Sequence, residues 1–502
     1  MLHCENCGGS LLFDIESQKL KCQSCDSLYE VEDVEDAQPE EDIEMAIYTC
    51  PSCGGEIISP TKSSLKGFCS FCGQDVTFQR RMEGRKRPKK IIPFQITKEQ
   101  CQESFHKSFG RLSPKEFKEM GNVESIRGIY IPYFNYYTKF DRTKVSGQGT
   151  RTFSRGNKDV EEFYTINANV SGITISQFDA SSALPDDLSQ SVGKFYLKQE
   201  KDFSTDYMEG FYGDVSDIEE TTYVASAKDA AIKKVENKLS QKLDGNVNLE
   251  KNMSEKAETK VSRSLFPYWF LTWRNQNRVA YAVVNGETGQ VAMDRPIDVK
   301  KYFGLSVVVS LILFFILNAV LSLTSRDMLM WIGVLSMFSM YFYLFCAKQA
   351  MKKDSRVGDL GIGKKGEKET YIEFIFAGIF FLSIALSVFF GDSTVGLRRP
   401  IYYCIMIIAF GFGIFDSILI KITYKQKWHP FVDMIGVILG MVLCTGCHYL
   451  YSNAYSFYNV AGILAGICNI WTLLRMMKRY NMMCTHPIPD FHDRQGGDNR
   501  AF

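Results

Sequence analysis

Eight cysteines near the amino terminus fall into four Cys-x-x-Cys pairs: Cys4 and Cys7, Cys22 and Cys25, Cys50 and Cys53, Cys69 and Cys72. Fourteen residues separate the first two pairs and fifteen the last two. Each pair forms a tight knuckle with two sulfurs on one side of a cation, and two knuckles complete the tetrahedral four-thiolate geometry of structural zinc. With every position filled by a protein thiolate, no place is left for an activated water, so catalytic zinc is not expected. Gly8, Gly9, Gly54, Gly55 and Gly73 follow their knuckles, where a positive φ lets the backbone turn around the metal. His3, beside Cys4, is a competing donor that a full set of cysteines makes unnecessary. Disulfides are the alternative reading. The start MLHCENCGGS lacks the basic flank and apolar core of a cleavable signal, so a reducing compartment and metal ligation are expected.

Short strands must present these knuckles. LLFDIESQKLK and EIISPTKSSLKGF each read as strand, turn, strand, giving zinc ribbons at residues 1–30 and 48–78. Units of roughly 25 to 30 residues cannot bury a sufficient core, so two structural zinc ions would hold them, each supplying on the order of 10 kcal/mol. An acidic linker, 31–47, separates the ribbons, and a basic one, 79–90, follows the second. Arg80, Arg81, Arg85, Lys86, Arg87, Lys89 and Lys90 in the basic run read either as solvated linker or as an anion-binding patch for nucleic acid or lipid phosphate.

Residues 91–299 read as a soluble α+β domain. Thr97 and Gln100 form a capping box opening a helix with Cys101, Phe105 and Phe109 on one stripe. Ser113, Pro114 and Glu116 announce a second helix. Strands follow in GIYIPYFNYYTKF and FYTINANVSGITI, where Ile166, Ala168 and Val170 alternate with polar residues. An amphipathic helix over 226–243 turns Ile232, Val235 and Leu239 inward, and Asn-Gly-Glu-Thr-Gly closes a late hairpin. Ile131-Pro132-Tyr133-Phe134 and Phe266-Pro267-Tyr268-Trp269 look like one unit used twice, each proline opening a strand, the two strands neighbours in an antiparallel sheet. Their aromatics read as core rather than as a platform for bases.

The double ribbon, KKIIPFQITKEQ, GIYIPYFNYY, YMEGFYGDV and FPYWFLTW, in that order, resemble bacterial proteins described as containing TFIIB-type or helicase PriA-like zinc ribbons. The resemblance covers about 300 residues and implies zinc binding through the eight cysteines, with no established enzymatic activity. Some members resemble components encoded beside band-7 (flotillin-like) and phage-shock-type membrane-stress proteins, which implies a membrane adaptor. No Walker A sequence accompanies the ribbons, so helicase activity is not expected. The soluble part offers only His3 and His106, without GxSxG or HExxH, so no enzyme is expected.

Composition carries little about an anionic partner: 58 basic and 57 acidic residues leave a net charge of +1. The 45% hydrophobic content concentrates at the end of the chain. There FGLSVVVSLILFFILNAVLSL runs for 21 residues without a charge, enough to cross a bilayer. Further apolar runs at 328–347, 371–390, 401–420, 431–451 and 455–474 predict a six-helix transmembrane bundle over 300–480, with a cytoplasmic tail at 481–502. Lysines and arginines concentrate in alternate loops, predicting a multi-pass membrane protein with both termini cytoplasmic. Gly436 and Gly440 with Gly462 and Gly466 predict a close helix hairpin.

Asp416 lies inside the fourth run as a candidate intramembrane polar site for ion coupling, though Lys421 could draw it toward water. Cys444-Thr445-Gly446-Cys447-His448 spells a haem-attachment motif but sits in an apolar helix. The Gly-rich run 358–366 approaches both a dinucleotide fingerprint and Walker A, yet lacks the preceding strand and the hydroxyl that would bind magnesium. The expectation is a zinc-ribbon scaffold or recruiter of cytoplasmic proteins at the bilayer. The alternatives are a membrane-tethered nucleic-acid binder and a small transporter with a regulatory front.

Overall fold

The computed structural model describes residues 3–31, 42–59, 66–77, 79–114, 126–155, 158–181, 186–243, 246–249, 258–275, 278–320, 324–354, 395–424, 430–450 and 455–487. They belong to two compact units, one within Met1–Ser108 and Glu119–Met293, the other within Phe109–Lys118 and Asp294–Pro487.

In the first unit β1 (Leu11–Asp14), β2 (Lys19–Cys22) and β3 (Leu28–Tyr29) form a small antiparallel sheet. Next come β4 (Asp42–Thr49), β5 (Glu56–Ser59), β6 (Lys66–Phe68), β7 (Asp75–Thr77), β8 (Gln79–Lys86) and β9 (Lys90–Ile91). Helix α1 (Lys98–Lys107), β10 (Ile126–Arg155), β11 (Lys158–Asp179), α2 (Asp186–Ser191), β12 (Lys201–Asp202) and β13 (Tyr212–Asp214) follow. The unit closes with α3 (Val224–Leu243), β14 (Asn246–Leu249), β15 (Glu258–Asn275), β16 (Arg278–Asn285) and β17 (Val291–Met293). One large sheet runs in the order β12-β9-β15-β10-β13-β5-β4-β8, with β11 and β14 on β10, β16 on β15 and β17 on β16.

The two proline-aromatic segments face each other across the antiparallel β10–β15 ladder, Tyr130 opposite Pro267 and Pro132 opposite Leu265. Neither proline opens its strand, contrary to the sequence expectation. β10 pairs with β13 at Ile129 and Tyr130 and with β11 from Tyr133, so Pro132 falls where that edge changes partner. Likewise β15 pairs with β9 at Ser264 and Leu265 and with β16 from Tyr268, and Pro267 sits in the gap. A missing N–H costs nothing where no ladder acceptor faces it. Both carbonyls stay in use, Pro132 O accepting from Ala180 N and Pro267 O from Gly286 N, each at 2.8 Å.

Four of the motifs that carry the family resemblance converge on Phe94. Its ring stacks on Phe211 at 4.3 Å and meets Trp269 at 4.9 Å and Tyr130 at 5.0 Å. All four rings are buried, and so are Tyr133, Phe134, Phe266 and Tyr268, so the aromatics of the two proline segments are core, as expected. The glycines beside them leave the room: a Cβ on Gly128 would lie 2.5 Å from Phe211, and one on Gly286 2.7 Å from Phe94. Thr97 and Gln100 form the expected capping box on α1, whose Cys101 and Phe105 are buried. Helix α3 lays Ala227 against Phe134 and Tyr136, and Ala231 and Val235 against Phe140, Val145 and Leu249, with Ile232 and Leu239 at the margin. Asn285 Oδ1 accepts from Glu287 N and Thr288 N, and Gly289 takes φ 74° to complete the late hairpin. The helix expected from Ser113 lies outside the described residues beyond residue 114.

Two linker expectations are corrected. The end of the acidic stretch forms β4 and most of the basic stretch forms β8, paired antiparallel with Ile43 opposite Arg85 and Ile47 opposite Arg81. Asp42-Ile43-Glu44-Met45 at the start of β4 alternates charged and apolar residues, a period-2 pattern that the charge density hid, whereas β8 carries no such pattern and is a strand through its pairing with β4. The second ribbon is therefore no separate bead: β4 and β5 belong to the large sheet, where β5 pairs with β13.

The second unit holds α4 (Val299–Val320), α5 (Ser325–Asp354), α6 (Val395–Tyr424), α7 (Pro430–Tyr449) and α8 (Tyr455–Met483). Each carries one of the predicted apolar runs; the run at 371–390 lies outside the described residues, as does the Gly-rich 358–366. Among the described residues three stretches, Met328–Gln349, Pro430–Tyr449 and Tyr455–Met483, are long and apolar enough to cross a membrane. The α7–α8 hairpin is close: a Cβ on Gly436 would lie 2.5 Å from Cys468 O. Gly462 instead faces Ile332 of α5, and Gly466 faces open space, so only one of the two predicted glycine faces makes the hairpin seam.

Phe94→Ala should remove the shared partner of three rings and destabilise the first unit by about 3 to 5 kcal/mol. Thermal melting of the full chain in detergent, followed by tryptophan fluorescence, checks this.

Candidate functional site

The four knuckles share one backbone design. The N–H of each first cysteine donates to the carbonyl five residues on (Cys4 to Gly9, Cys22 to Ser27, Cys50 to Gly55, Cys69 to Gln74), at 2.8 to 2.9 Å. The residue after each second cysteine donates back to the first cysteine's carbonyl at 2.8 to 3.1 Å. That residue must take a positive φ: Gly8 71°, Gly54 71° and Gly73 68°, with Asp26 at 58° in the remaining knuckle. Three of these positions were legible as glycines, while Asp26 was not. Gly9 serves a second need, since a Cβ there would lie 3.1 Å from Cys22 Sγ.

The knuckles bring the sulfurs together in two groups, Cys4, Cys7, Cys22 and Cys25, and Cys50, Cys53, Cys69 and Cys72, each within 4.8 Å of one another. Cys4–Cys25 and Cys7–Cys22 are 3.5 Å apart, Cys50–Cys72 and Cys53–Cys69 3.9 Å. A tetrahedral site with metal–sulfur bonds of about 2.3 Å needs sulfurs about 3.8 Å apart, so both groups fit a metal ion. Hydrogen-bond donors favour the thiolate at Cys4 and Cys25, whereas Cys7, despite the Gly9 N–H, is pushed up to about 12 by the neighbouring Cys25 and Cys22 sulfurs. The Tyr29 hydroxyl, 3.2 Å from Cys4 Sγ, holds that thiol down to about 6, helped by the N–H groups of Cys7 and Asn6. Ser27 gives Cys25 both its hydroxyl, at 3.2 Å, and its N–H, lowering that thiol too. In the second group neighbouring sulfurs drive Cys72 down and Cys69 up.

The groups differ in burial. Cys7 and Cys25 are exposed, whereas all four cysteines of the second group are buried. They pack with Ala46, Tyr48, Ile57 and Phe71 in one apolar cluster. The second group's last knuckle is also held from outside: Thr272 donates its hydroxyl to Ser70 O and Tyr281 donates its own to Phe71 O. The first ribbon docks by Gln18, whose side chain donates to Phe94 O at 2.8 Å, and by Phe13, whose ring meets Tyr207 at 5.4 Å. His3 is exposed and outside the cluster, its Nδ1 3.2 Å from Gly8 O. His106 is exposed against the edge of Phe105.

Of the candidate anion-binding residues, Arg87 and Lys90 are engaged by neighbours within the fold. Arg87 donates to Phe203 O at 2.7 Å and lies over the Phe203 ring, and Lys90 pairs with Asp202 at 2.8 Å. Lys89 is exposed, with its backbone N–H bonded to Arg263 O. Arg80, Arg81, Arg85 and Lys86 lie on β8.

In the second unit the predicted acid, Asp416, is half-buried on α6. Among the described residues of this unit the fully buried acid is Asp433, in the first turn of α7. It accepts from Arg479 Nε at 2.7 Å, Tyr343 Oη at 3.0 Å and Arg475 at 3.3 Å. A buried carboxylate is stable only when paired and hydrogen-bonded, which three donors from two neighbouring helices supply. A signal existed in the sequence: Arg475 and Arg479, one turn apart, lie toward the end of α8 remote from the α7–α8 turn, as Asp433 does on α7. Cys444 and His448 are buried in α7, with the His448 carbonyl accepting from Arg326 at 3.1 Å.

Over 314 residues the chain is 26% identical to the "Uncharacterized protein YdjG" of Bacillus subtilis (strain 168), a match covering 59% of this chain and 89% of that relative. No family model matches the chain, and no solved structure does.

Purified full chain should carry two metal ions, and Cys7→Ser or Cys72→Ser one each, by elemental analysis. A chelator should strip the exposed first site faster than the buried second, and both should release metal as pH falls, because protons compete for the sulfurs. Asp433→Asn should leave two arginines without a counter-ion and cost about 3 kcal/mol, the low end for a buried pair because the guanidinium groups reach solvent; detergent thermal melts measure it.

Proposed function

We propose that this protein is a non-enzymatic, multi-pass membrane protein whose two zinc ribbons and α+β unit recruit cytoplasmic proteins to the bilayer. The carrying observation is the closure of each sulfur group: four cysteines surround one point, which suits a structural ion and leaves no ligand position for substrate. Zinc is the metal that four thiolates on two knuckles suit best.

The cytoplasmic placement of both termini rests on the ends of the helices. Asn481 bonds both the N–H and the carbonyl of Ile297, at 2.9 and 2.7 Å, so α4 begins beside the end of α8. That end carries Lys300, Lys301, Arg475, Lys478 and Arg479. Positive charge of this density stays on the cytoplasmic side. A TFIIB-type or PriA-like ribbon family with band-7 or phage-shock-type neighbours makes membrane-stress proteins the first partners to seek. Nucleic acid is the weaker reading, because Arg87 and Lys90 are engaged within the fold.

Proximity labelling in cells, comparing the full chain with Cys50→Ser, tests the recruiter reading. Reproducible protein neighbours that depend on Cys50 are expected. Labelling that is indistinguishable between the two, or salt-sensitive binding of DNA or RNA by the intact chain, would overturn it.

A further inference from the structure

The last turns of α8 form an open cleft of about 390 Å³ lined by Trp471, Arg475, Lys478, Arg479 and Met482. We propose that this cleft binds the phosphate of an anionic phospholipid. The inference rests on the membrane reading above but adds a ligand site to it.

Charge comes first. Among the described residues the cleft gathers three cations against one carboxylate, Asp433, which pairs with Arg475 and Arg479. Asp433 lies wholly out of solvent and fixes Arg475 and Arg479 from below, while their side chains keep 43% and 28% exposure. Arg475 is further held over the Trp471 ring, 4.7 Å from its centre. Guanidinium groups positioned this way are preorganised for phosphate oxygens, and Lys478, exposed beside them, adds a mobile third cation. Asp433 thus acts as a positioning residue.

The order of side chains along α8 selects a lipid over a soluble anion. Ile463, Ile467 and Ile470 are exposed on the apolar stretch, Trp471 follows, and Arg475, Lys478 and Arg479 come next. From Ile467 to Lys478 the helix rises about 16 Å. Acyl chain, interface and phosphate occur in the same sequence and over a comparable depth in a bilayer leaflet, with indole rings favouring the interface. Basic pockets at the cytoplasmic ends of membrane helices hold anionic headgroups by this arrangement.

Native mass spectrometry of the full chain in detergent, titrated separately with phosphatidylglycerol, phosphatidylcholine and inorganic phosphate, tests the assignment. Phosphatidylglycerol should bind preferentially, and Lys478→Gln should weaken it about tenfold, the value of one charged hydrogen bond, with Lys478→Glu weaker still. Lys478 takes no part in the Asp433 pairs, so both variants should melt like the parent. Equal binding of phosphatidylcholine, unchanged binding by both variants, or displacement of the lipid by inorganic phosphate at similar concentration would overturn the proposal. Failure of the chain to co-float with vesicles of any composition would instead overturn the membrane reading.

Discussion

The antiparallel ladder between β10 and β15 runs from Ile126 opposite Leu271 to Lys139 opposite Glu258, and most of the first unit is set by it. Side chains alternate faces with period two, so one register decides which aromatics point inward along both strands. That register places Tyr130 and Trp269 around Phe94. It also carries β15 onward to Thr272, whose hydroxyl reaches the backbone of the last knuckle. The sheet and the second sulfur group are thus mechanically continuous, and a metal there would brace the ladder as well as its own loop.

The first ribbon follows a different balance. Two of its sulfurs are exposed, and its small sheet touches the rest through Gln18 and Phe13. Gln18 itself sits at φ 56°, a conformation that costs a non-glycine residue energy. Its side chain offsets that by donating to both Ile15 O and Phe94 O. Two chemically identical sulfur sets therefore sit in unlike settings, one in an apolar cluster and one at the surface, which separates a bracing role from one open to exchange or contact.

In the helical unit, the comparable constraint among the described residues is one buried carboxylate. Asp433 ties α7 to α5 through Tyr343 and to α8 through two arginines, so helix positions are fixed by directional bonds where apolar packing alone would leave them free to slide. The predicted polar residue, Asp416, has no such burial, because depth along a helix does not reveal which face looks inward. Rotation about the helix axis is a tertiary property.

Residue type and spacing alone determined the sulfur groups, the capping box at Thr97, the pairing of the two proline-aromatic segments and the apolar helices. Each depends on chemistry local to a few residues, or on a periodicity that survives any packing. Tertiary structure decided that Pro132 and Pro267 sit inside long strands, that charged linkers become β4 and β8, and that Asp433 rather than Asp416 is the enclosed acid. In those cases the outcome turns on a partner far away in the chain: an N–H is dispensable, a charged strand is pairable and an acid is tolerable only once the neighbour that meets it has been put in place.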